Sequence, residues 1–237
     1  MRRSRFSAVL VATAMALGGT ALLAGPAEAA TSSIQISIDS KTTVKAAYGD
    51  YIGGVDGTVT GVGDQGQALT ADAGQVDLEA LYPGKDWVVV ATDTDPGYLY
   101  FENAAQKAKG NVQYRVHYYG GTGHDANYDE YPMPAAYSNV VTVRTFWKLT
   151  TNGGLCRHHK CPLSGNIKPK TNHVKVLLQR RKHGNWTKLQ AQRTNRRGQF
   201  HFAIRQQRNK GFKLRVIVKG TKNISAAKSE TYHIGPF

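Results

Sequence analysis

The last 90 residues of this 237-residue chain contain a single carboxylate side chain, that of Glu230, against 21 Lys and Arg. Residues 31–147 have the opposite balance, with 14 Asp and Glu against 7 Lys and Arg. The net charge is therefore −7 over residues 31–147 and +20 over residues 148–237. So much unbalanced positive charge predicts contact with a polyanion. The alternative is a set of solvated charges that serves solubility or general surface adhesion.

Catalytic motifs are missing as well. The sequence has no Gly-x-Ser-x-Gly, no His-Glu-x-x-His and no phosphate-binding glycine loop. One carboxylate cannot form an acid–base pair within residues 148–237. His117 and His124, with the carboxylates of residues 31–147, leave a cross-strand site open in the first half. We predict that the protein is not an enzyme and uses no cofactor.

Long apolar runs are confined to the N-terminus. Arg2, Arg3 and Arg5 precede an apolar run from Ala8 to Ala24, and Ala27-Glu-Ala29 is a small-x-small cleavage site. A membrane anchor is the alternative, but the run contains Gly18-Gly19 and a spanning helix needs about 20 apolar residues. We therefore predict a signal peptide over residues 1–29. The mature protein is expected to lack an integral membrane segment and to be secreted, either extracellular or bound non-covalently at the cell surface.

Cysteine occurs twice, at Cys156 and Cys161. In an exported chain such a pair predicts a disulfide, here closing a small loop around Arg157-His-His-Lys160. The alternative is a metal site built from both cysteines with His158 and His159. Four ligands within six residues are hard to wrap around a tetrahedral ion, so the disulfide is favoured.

Helical periodicity is absent after residue 29, and alternating apolar residues such as Phe200, Phe202 and Ile204 predict antiparallel β-strands. The pattern is repeated. Val76-Asp-Leu-Glu, Trp87, Gly97-Tyr-Leu-Tyr-Phe101 and Tyr114-Arg-Val116 recur as Val174-Lys-Val-Leu, Trp186, Gly198-Gln-Phe-His-Phe202 and Leu214-Arg-Val216. Two domains follow, an acidic Tyr-rich one over residues 30–147 and a basic one over residues 148–237. We expect Trp87 and Trp186 to fill the two cores.

The repeated layout resembles the immunoglobulin-like β-sandwich modules found in tandem in secreted bacterial proteins. The resemblance covers residues 150–235 well and residues 40–145 more loosely. It implies an all-β fold with two tandem immunoglobulin-like antiparallel β-sandwich domains after a cleaved signal peptide. It also implies a non-enzymatic spacer, adhesive unit or appendage. The residues that carry it are Ser164-Gly165, Val176-Leu-Leu-Gln-Arg-Arg181, Gly184-Asn-Trp186, Gly198-Gln-Phe-His-Phe202 and Leu214-Arg-Val216.

Strand alternation places many of the second half's cations on the surface. If consecutive strands belong to different sheets, these cations cover both faces as a diffuse positive shell, which suits binding by counterion release. The expected partner is an anionic cell-envelope polymer or another extracellular polyanion. The predicted polyanion-binding residues are Arg180, Arg181, Lys182, Arg193, Arg196, Arg197, Arg205, Arg208, Lys210, Lys213, Arg215 and Lys219.

Eleven of the twelve tyrosines precede residue 138, and several lie in a long connection from Tyr119 to Tyr137. Such a connection is either functional or mobile, and its Tyr, Gly, Asn and Asp content is typical of recognition loops. A floppy or self-packed insertion is the alternative. The predicted recognition residues are Tyr119, His124, Asp125, Asn127, Tyr128, Asp129 and Tyr131.

Metal binding is not predicted. Asp125, Asn127 and Asp129 are left as a calcium candidate, because their oxygens alternate but the Gly and Glu of an EF-hand loop are missing. A second acidic cluster, Asp93-x-Asp95-Pro-Gly97, falls where a hairpin turn is expected.

These observations predict a secreted, non-enzymatic binding or spacer protein of the cell envelope or extracellular space, whose basic half contacts anionic polymers. One alternative is a structural surface protein that self-associates head to tail through its oppositely charged halves. Another is a carbohydrate-binding module that uses outward tyrosines of the first half, including Tyr98 and Tyr100.

Overall fold

The structure is a computed structural model that describes residues 31–37, 41–101, 107–208 and 210–236. The predicted signal peptide, residues 1–29, lies outside the described residues. The described ranges contain twenty strands and no helix. No helix long and apolar enough to cross a membrane is therefore found in them. The all-β prediction is confirmed.

The first half of the chain contains twelve strands. They are β1 (Thr31–Ser37), β2 (Thr43–Ala47), β3 (Val55–Val62), β4 (Ala68–Ala73), β5 (Val76–Leu81), β6 (Trp87–Asp93), β7 (Leu99–Phe101), β8 (Val112–Tyr118), β9 (Gly121–His124), β10 (Glu130–Met133), β11 (Ala136–Tyr137) and β12 (Val141–Phe146).

The second half contains eight strands. They are β13 (Lys148–Gly153), β14 (Lys160–Lys168), β15 (Lys175–Lys182), β16 (Asn185–Arg193), β17 (Gln199–Arg205), β18 (Phe212–Val218), β19 (Ala227–Lys228) and β20 (Tyr232–Ile234).

Two sheets pack face to face in the first half. One has the order β1-β3-β4-β9-β10, with β7 also paired to β3, and the other the order β2-β12-β8-β5-β6, with β11 paired to β8. All pairs are antiparallel except β2 with β12. Inward side chains of both sheets, among them Val55, Leu69, Leu78, Val116 and Val143, form one core. Alternation puts these residues on the inner face of each strand.

The second half repeats this arrangement with fewer strands. A sheet of order β13-β14-β17 packs on a sheet of order β16-β15-β18-β19, with β20 also paired to β18. Leu163, Ile167, Phe202, Leu178 and Val216 are in its core. The consecutive strands β17 and β18 belong to different sheets, which is the condition under which the sequence places cations on both faces.

The internal repeat extends to the register of individual strands. β5 pairs with β6 and β8, as β15 pairs with β16 and β18, and each first pair has a bulge at the same point, after Leu78 and after Leu178. Val76 lies opposite Tyr118 and Val176 opposite Val218, so Val76 is equivalent to Val176 and not to Val174. The alignment expected for this strand is wrong by two residues, a shift that keeps the same face inward.

A serine marks the edge next to β8 and β18 in both halves. The Val116 amide donates to Ser138 Oγ over 2.8 Å, and the Val216 amide donates to Ser229 Oγ over 2.9 Å. Each hydroxyl then donates to the carbonyl of the following residue. The serine side chain replaces a backbone acceptor where the pairing of the neighbouring strands with β8 or β18 is interrupted. The interruption is therefore the same in both halves.

The two halves contact each other through the segment after β12 and the loop after β18. Trp147 is only 3% exposed and packs in the second core, and its Nε1 donates to the Lys219 carbonyl over 3.0 Å. The Ser225 amide donates to the Thr145 carbonyl over 2.7 Å. Lys148 Nζ lies 2.7 Å from Asp50 Oδ1. The halves therefore dock within one chain.

Candidate functional site

The strongest concentration of unopposed charge lies on the outer face of the sheet β16-β15-β18-β19. The register of β15 with β16 places Arg193 opposite Lys175 and Lys188 opposite Gln179. On the other side of β15, Arg215 of β18 lies opposite Gln179. Lys228 lies opposite Ile217. We call this surface the basic face; its cations are Lys175, Arg181, Lys188, Arg193, Lys213, Arg215, Lys219 and Lys228.

Seven of these eight side chains are exposed, and Arg215 is partly covered. No Asp or Glu occurs in any strand from β13 to β20. Same-face neighbours are about 5 Å apart across strands and roughly 7 Å apart along a strand. The face can therefore meet several anionic groups of one extended polymer at once.

The opposite sheet differs from the sequence expectation. Its exposed centre is polar and uncharged, with Thr150, Asn152, Gln199 and His201 on β13 and β17, while its strand cations are confined to the ends. Cations therefore lie on both faces, but they are spread less evenly than the sequence suggested. Alternation along each strand correctly predicted which side chains point outward. Which of the outward cations lie next to each other depends on the register between strands.

Five predicted polyanion-binding residues lie on the basic face and seven lie elsewhere. Arg180 points to the end of the core, where its guanidinium is 4.7 Å from the Phe212 ring centroid and its Nη2 donates to Gln207 over 2.8 Å. Lys182 ends β15, one residue out of step with the outward side chains of that strand. The remaining five occupy turns or the other sheet; they are Arg196, Arg197, Arg205, Arg208 and Lys210.

Three cations of the basic face were missed. Lys175, Lys188 and Lys228 sit at strand ends and next to the bulge, where alternation is hardest to follow. The register with β18 shows that Lys175 and Lys228 share the face of Lys219. A pairing argument from the hairpins could have found Lys175, because it lies directly opposite Arg193.

Trp186 does not fill the core, contrary to expectation. It lies half-buried on the outer surface, with Arg215 stacked on it at 4.3 Å from the ring centroid. Trp87 is placed in the same way under Arg115, also at 4.3 Å. The cation–π contact between a guanidinium and an indole ring is favourable. The arginine thus covers a ring that the core does not bury.

A row of aromatic side chains occupies the matching face of the first half. Arg115 lies between Trp87 and Tyr137, whose ring centroid is 4.2 Å away. Tyr137 stacks on His117 with centroids 4.2 Å apart, and His117 contacts Tyr119 at 4.0 Å. The same surface of the fold is thus aromatic in one half and basic in the other.

Asp77 anchors the end of this row. It is 3% exposed and accepts hydrogen bonds from Thr92, Tyr119 and Gln75. Burial opposes ionisation, but these bonds and the nearby His117 outweigh it and lower the pKa of Asp77. The bond to Asp77, with burial and neighbouring charges, raises the pKa of Tyr119. Asp77 therefore fixes Tyr119 as a neutral donor on this face.

The sequence suggested that the Tyr119–Tyr137 connection is a long loop, but the connection contains strands. It forms the hairpin β9-β10, which extends the sheet beside β4, followed by β11. At its tip His124 Nδ1 lies 2.6 Å from Asp72 and its ring stacks on Tyr128 at 5.1 Å. Tyr128 is 80% exposed.

The calcium candidate is part of the hairpin turn. Asp125 Oδ1 accepts the amides of Asn127 and Asp129 over 2.8 and 3.1 Å. This is the local side-chain bonding that turns use. Asp93 likewise accepts the amides of Thr94 and Asp95. Within the described ranges, no group of three or more His, Cys, Asp or Glu side chains is arranged to hold a metal ion.

The predicted disulfide between Cys156 and Cys161 is confirmed. His158 and His159 form the two-residue turn inside it, both with positive φ, while Arg157 and Lys160 exchange backbone hydrogen bonds. The metal alternative is wrong, because both sulfur atoms are bonded to each other.

No protein-family model and no curated protein sequence matches the chain. Among solved structures, a tetra-tandem repeat from the extending region of a large adhesion protein is 16% identical, with a TM-score of 0.42. That match covers 88% of this chain and 50% of the other, so the chain spans about half of that structure. The human OSCAR ligand-binding domain is 14% identical, with a TM-score of 0.27, over 86% of this chain and 98% of the other. TM-scores below 0.5 are too low to transfer a function.

Proposed function

We propose that this is a secreted, non-enzymatic protein that holds an anionic polymer of the cell envelope or extracellular space on its basic face. It would consist of two immunoglobulin-like domains that divide near Trp147. The observation that carries the proposal is that eight Lys and Arg share one sheet face whose strands contain no carboxylate.

The physics favours a long polymer over a small ligand on this face. The cations are spread over a flat sheet, and each contributes a weak, screened attraction. A polymer that meets several of them releases several counterions at once, so the attraction adds up and falls steeply with salt. The Trp186 ring on this face is covered by the Arg215 guanidinium, so the described face gives unstacked bases few partners.

The first half would act as a spacer or present its hairpin. Its outer face is aromatic and acidic, and Tyr98 and Tyr100 are 73% and 47% exposed on the other sheet. Neither of these two surfaces suits a polyanion.

A matched pair of variants of the full chain tests the basic face. The first variant replaces Lys175, Lys213 and Lys219 by Gln. The control replaces Lys160, Lys168 and Lys170, which are exposed lysines on or next to β14 in the other sheet. Both remove three charges, so a change that depends only on net charge is the same in both.

Retention on immobilised long-chain polyphosphate is measured as a function of salt. The face variant is expected to elute at markedly lower salt, with a slope reduced by about 0.7–0.9 for each lysine–phosphate pair removed, and the control is expected to elute close to the unaltered protein. Equal retention of both variants would overturn the proposal. Binding to neutral glycans that persists in high salt would instead favour carbohydrate recognition.

Self-association is a second candidate function, and strand β6 favours it. Val88, Val89 and Val90 are 44%, 51% and 36% exposed on this strand, which lies at the end of its sheet. The equivalent strand β16 has Lys188 where β6 has Val89, and its Gln190 and Gln192 side chains donate to β17 carbonyls. The centre of β6, from Val88 to Val90, lacks the charge that usually keeps an edge strand from pairing with another chain.

A second copy of the chain can pair with β6 in antiparallel fashion. A pair centred on Val89 sets Trp87 of one copy opposite Ala91 of the other. Sedimentation should then show a concentration-dependent dimer that persists in high salt, unlike head-to-tail charge pairing. Val89→Lys should abolish it, whereas Val62→Lys, at a valine that is 49% exposed on β3, should not. A constant monomer size would exclude this candidate.

A further inference from the structure

A cleft of about 490 Å³ lies where the first half meets the loop after β18. Its lining includes Tyr82, Lys85, Lys107, Lys109 and Asn111 from the first half, and Asn223 from the second. An adjoining cleft of about 380 Å³ shares Tyr82, Lys85 and Asn111 and adds Arg144. We call the two together the junction cleft.

The charge of the junction cleft is opposite to that of the half that provides most of it. Residues 31–147 carry a net charge of −7, yet three of their five lysines line this cleft. Among the residues that the structure describes, the lining of both clefts includes no carboxylate. Asp50 is paired with Lys148. From the second half, the Lys222 ammonium lies against Gly84, which also lines the cleft.

The wall that joins the halves is held by Asn111. Its amide donates to the Asn223 carbonyl over 2.7 Å, and its Oδ1 accepts from the Thr145 amide and from Ser225 Oγ. Its Nδ2 donates to the Lys222 carbonyl over 3.4 Å. Since these bonds occupy its side-chain oxygen and nitrogen, Asn111 shapes the cleft, and the groups left to meet a ligand are the lysine ammonium groups, the Arg144 guanidinium and the half-exposed Tyr82.

Ammonium and guanidinium groups both bind phosphate. A lysine is a compact point charge with rotatable donors, and the fork of an arginine matches the phosphate oxygens in pairs. Several lysines around a concave site can share the oxygens of a multiply charged anion. A concave site also fixes a ligand in a way that a flat basic face cannot.

We propose that the junction cleft is a phosphate-binding site that holds one phosphate-bearing unit of the polymer whose chain lies on the basic face. This inference rests on the proposed function. Lys219 directly follows β18 and continues its row of cations, and Lys222 follows three residues later beside the cleft. The two surfaces thus meet at the same loop, and a polymer anchored in the cleft continues onto the face.

The experiment titrates inorganic tripolyphosphate into the full chain by calorimetry at physiological salt. The cleft variant replaces Lys85, Lys107 and Lys109 by Gln, and the control replaces Lys160, Lys168 and Lys170 by Gln. The unaltered protein and the control should bind with one-to-one stoichiometry, and the cleft variant at least about tenfold more weakly, the loss expected when about 1.4 kcal/mol of binding free energy is removed.

The inference and the proposed function can fail separately. Equal tripolyphosphate affinity in the cleft variant and the unaltered protein, or no one-to-one binding to the unaltered protein, would overturn the phosphate site. Tighter binding of an oligoglucuronate than of tripolyphosphate would overturn its preference for phosphate. In each case the Lys175, Lys213 and Lys219 variant still reports on polymer retention by the basic face.

Discussion

Arg115 and Arg215 make the same two contacts in the two halves of the chain. Each guanidinium lies 4.3 Å from an indole centroid, of Trp87 and of Trp186. Each Nε donates to a side chain on the neighbouring strand, to Glu79 Oε2 over 2.5 Å in one half and to Gln179 Oε1 over 2.8 Å in the other. The tryptophan and the arginine therefore belong to the shared scaffold, and the carboxylate is where the halves diverge.

Gln179→Glu should stabilise the second half. The new carboxylate would meet Arg215 as Glu79 meets Arg115, in a segment of net charge +20. Arg215 is partly exposed, so the expected gain is about 0.5–1 kcal/mol. Thermal unfolding at low salt measures it, and the gain should shrink at high salt. Glu79→Gln is the reciprocal control and should lose stability. A lower melting temperature for Gln179→Glu would show that desolvation of the new carboxylate outweighs its attraction to Arg215.

Asp77 should make the stability of the first half depend on pH in the acidic range. Its folded-state pKa is lowered, so its contribution is fully present above the unfolded-state pKa of about 3.9 and is lost as the pH falls through the folded value. Asp77→Asn keeps the size and removes the charge. The fall in unfolding free energy from pH 7 to pH 3, measured with urea, should be smaller in this variant.

Glu79→Gln serves as the comparison for that experiment, because it removes a carboxylate from the same strand. An unchanged pH profile in Asp77→Asn would mean that the hydrogen bonds from Thr92, Tyr119 and Gln75 do not favour the carboxylate. In the second half, Leu177 occupies the position equivalent to Asp77. Its outward side chain is 8% exposed without any such bonds.

The sequence predicted the strands and their inward faces because alternation is a local property. Phe200, Phe202 and Ile204 are all buried, and so are Phe212 and Leu214. The disulfide could also be predicted, from compartment and spacing. The division of outward cations between two faces could be predicted in part, but their grouping depends on register between strands that are distant in sequence.

The failures have identifiable causes. Trp186 follows a turn on the outward parity, and Arg215, the residue that covers it, comes from another strand. The hairpin β9-β10 was missed because glycines occupy positions where alternation would otherwise show. A side chain at Gly123 would clash with Met133 and with the Thr70 carbonyl. Glycine is needed there for close approach of the strands, and it carries no hydrophobic signal.

Trp147→Ala should loosen the contact between the halves and destabilise the second core. The side chain is 3% exposed, and truncation of such an aromatic costs about 3–5 kcal/mol. Trp147→Phe keeps most of the packing and loses the Nε1 bond to the Lys219 carbonyl, at a cost of about 1 kcal/mol. Chemical denaturation of the full chain measures both. Equal losses would show that the hydrogen bond, and not the packing, carries the contribution of Trp147.

Removal of the disulfide should destabilise the second half only moderately. Cys156 and Cys161 are five residues apart, and the entropy of closing so small a loop amounts to about 2 kcal/mol at 25 °C. Cys161 is buried and Cys156 is exposed. The double variant Cys156→Ser, Cys161→Ala therefore places the hydroxyl where water reaches it and avoids a polar group in the core. Its unfolding midpoint should fall, and reductant should lower the midpoint of the unaltered protein by a similar amount without affecting the variant.

A loss of stability far above about 2 kcal/mol would mean that the loop Arg157–Lys160 supports the edge of the sheet through contacts as well as through chain entropy. In that case the loop would help to hold β14 in its place between β13 and β17, the two strands with which it pairs.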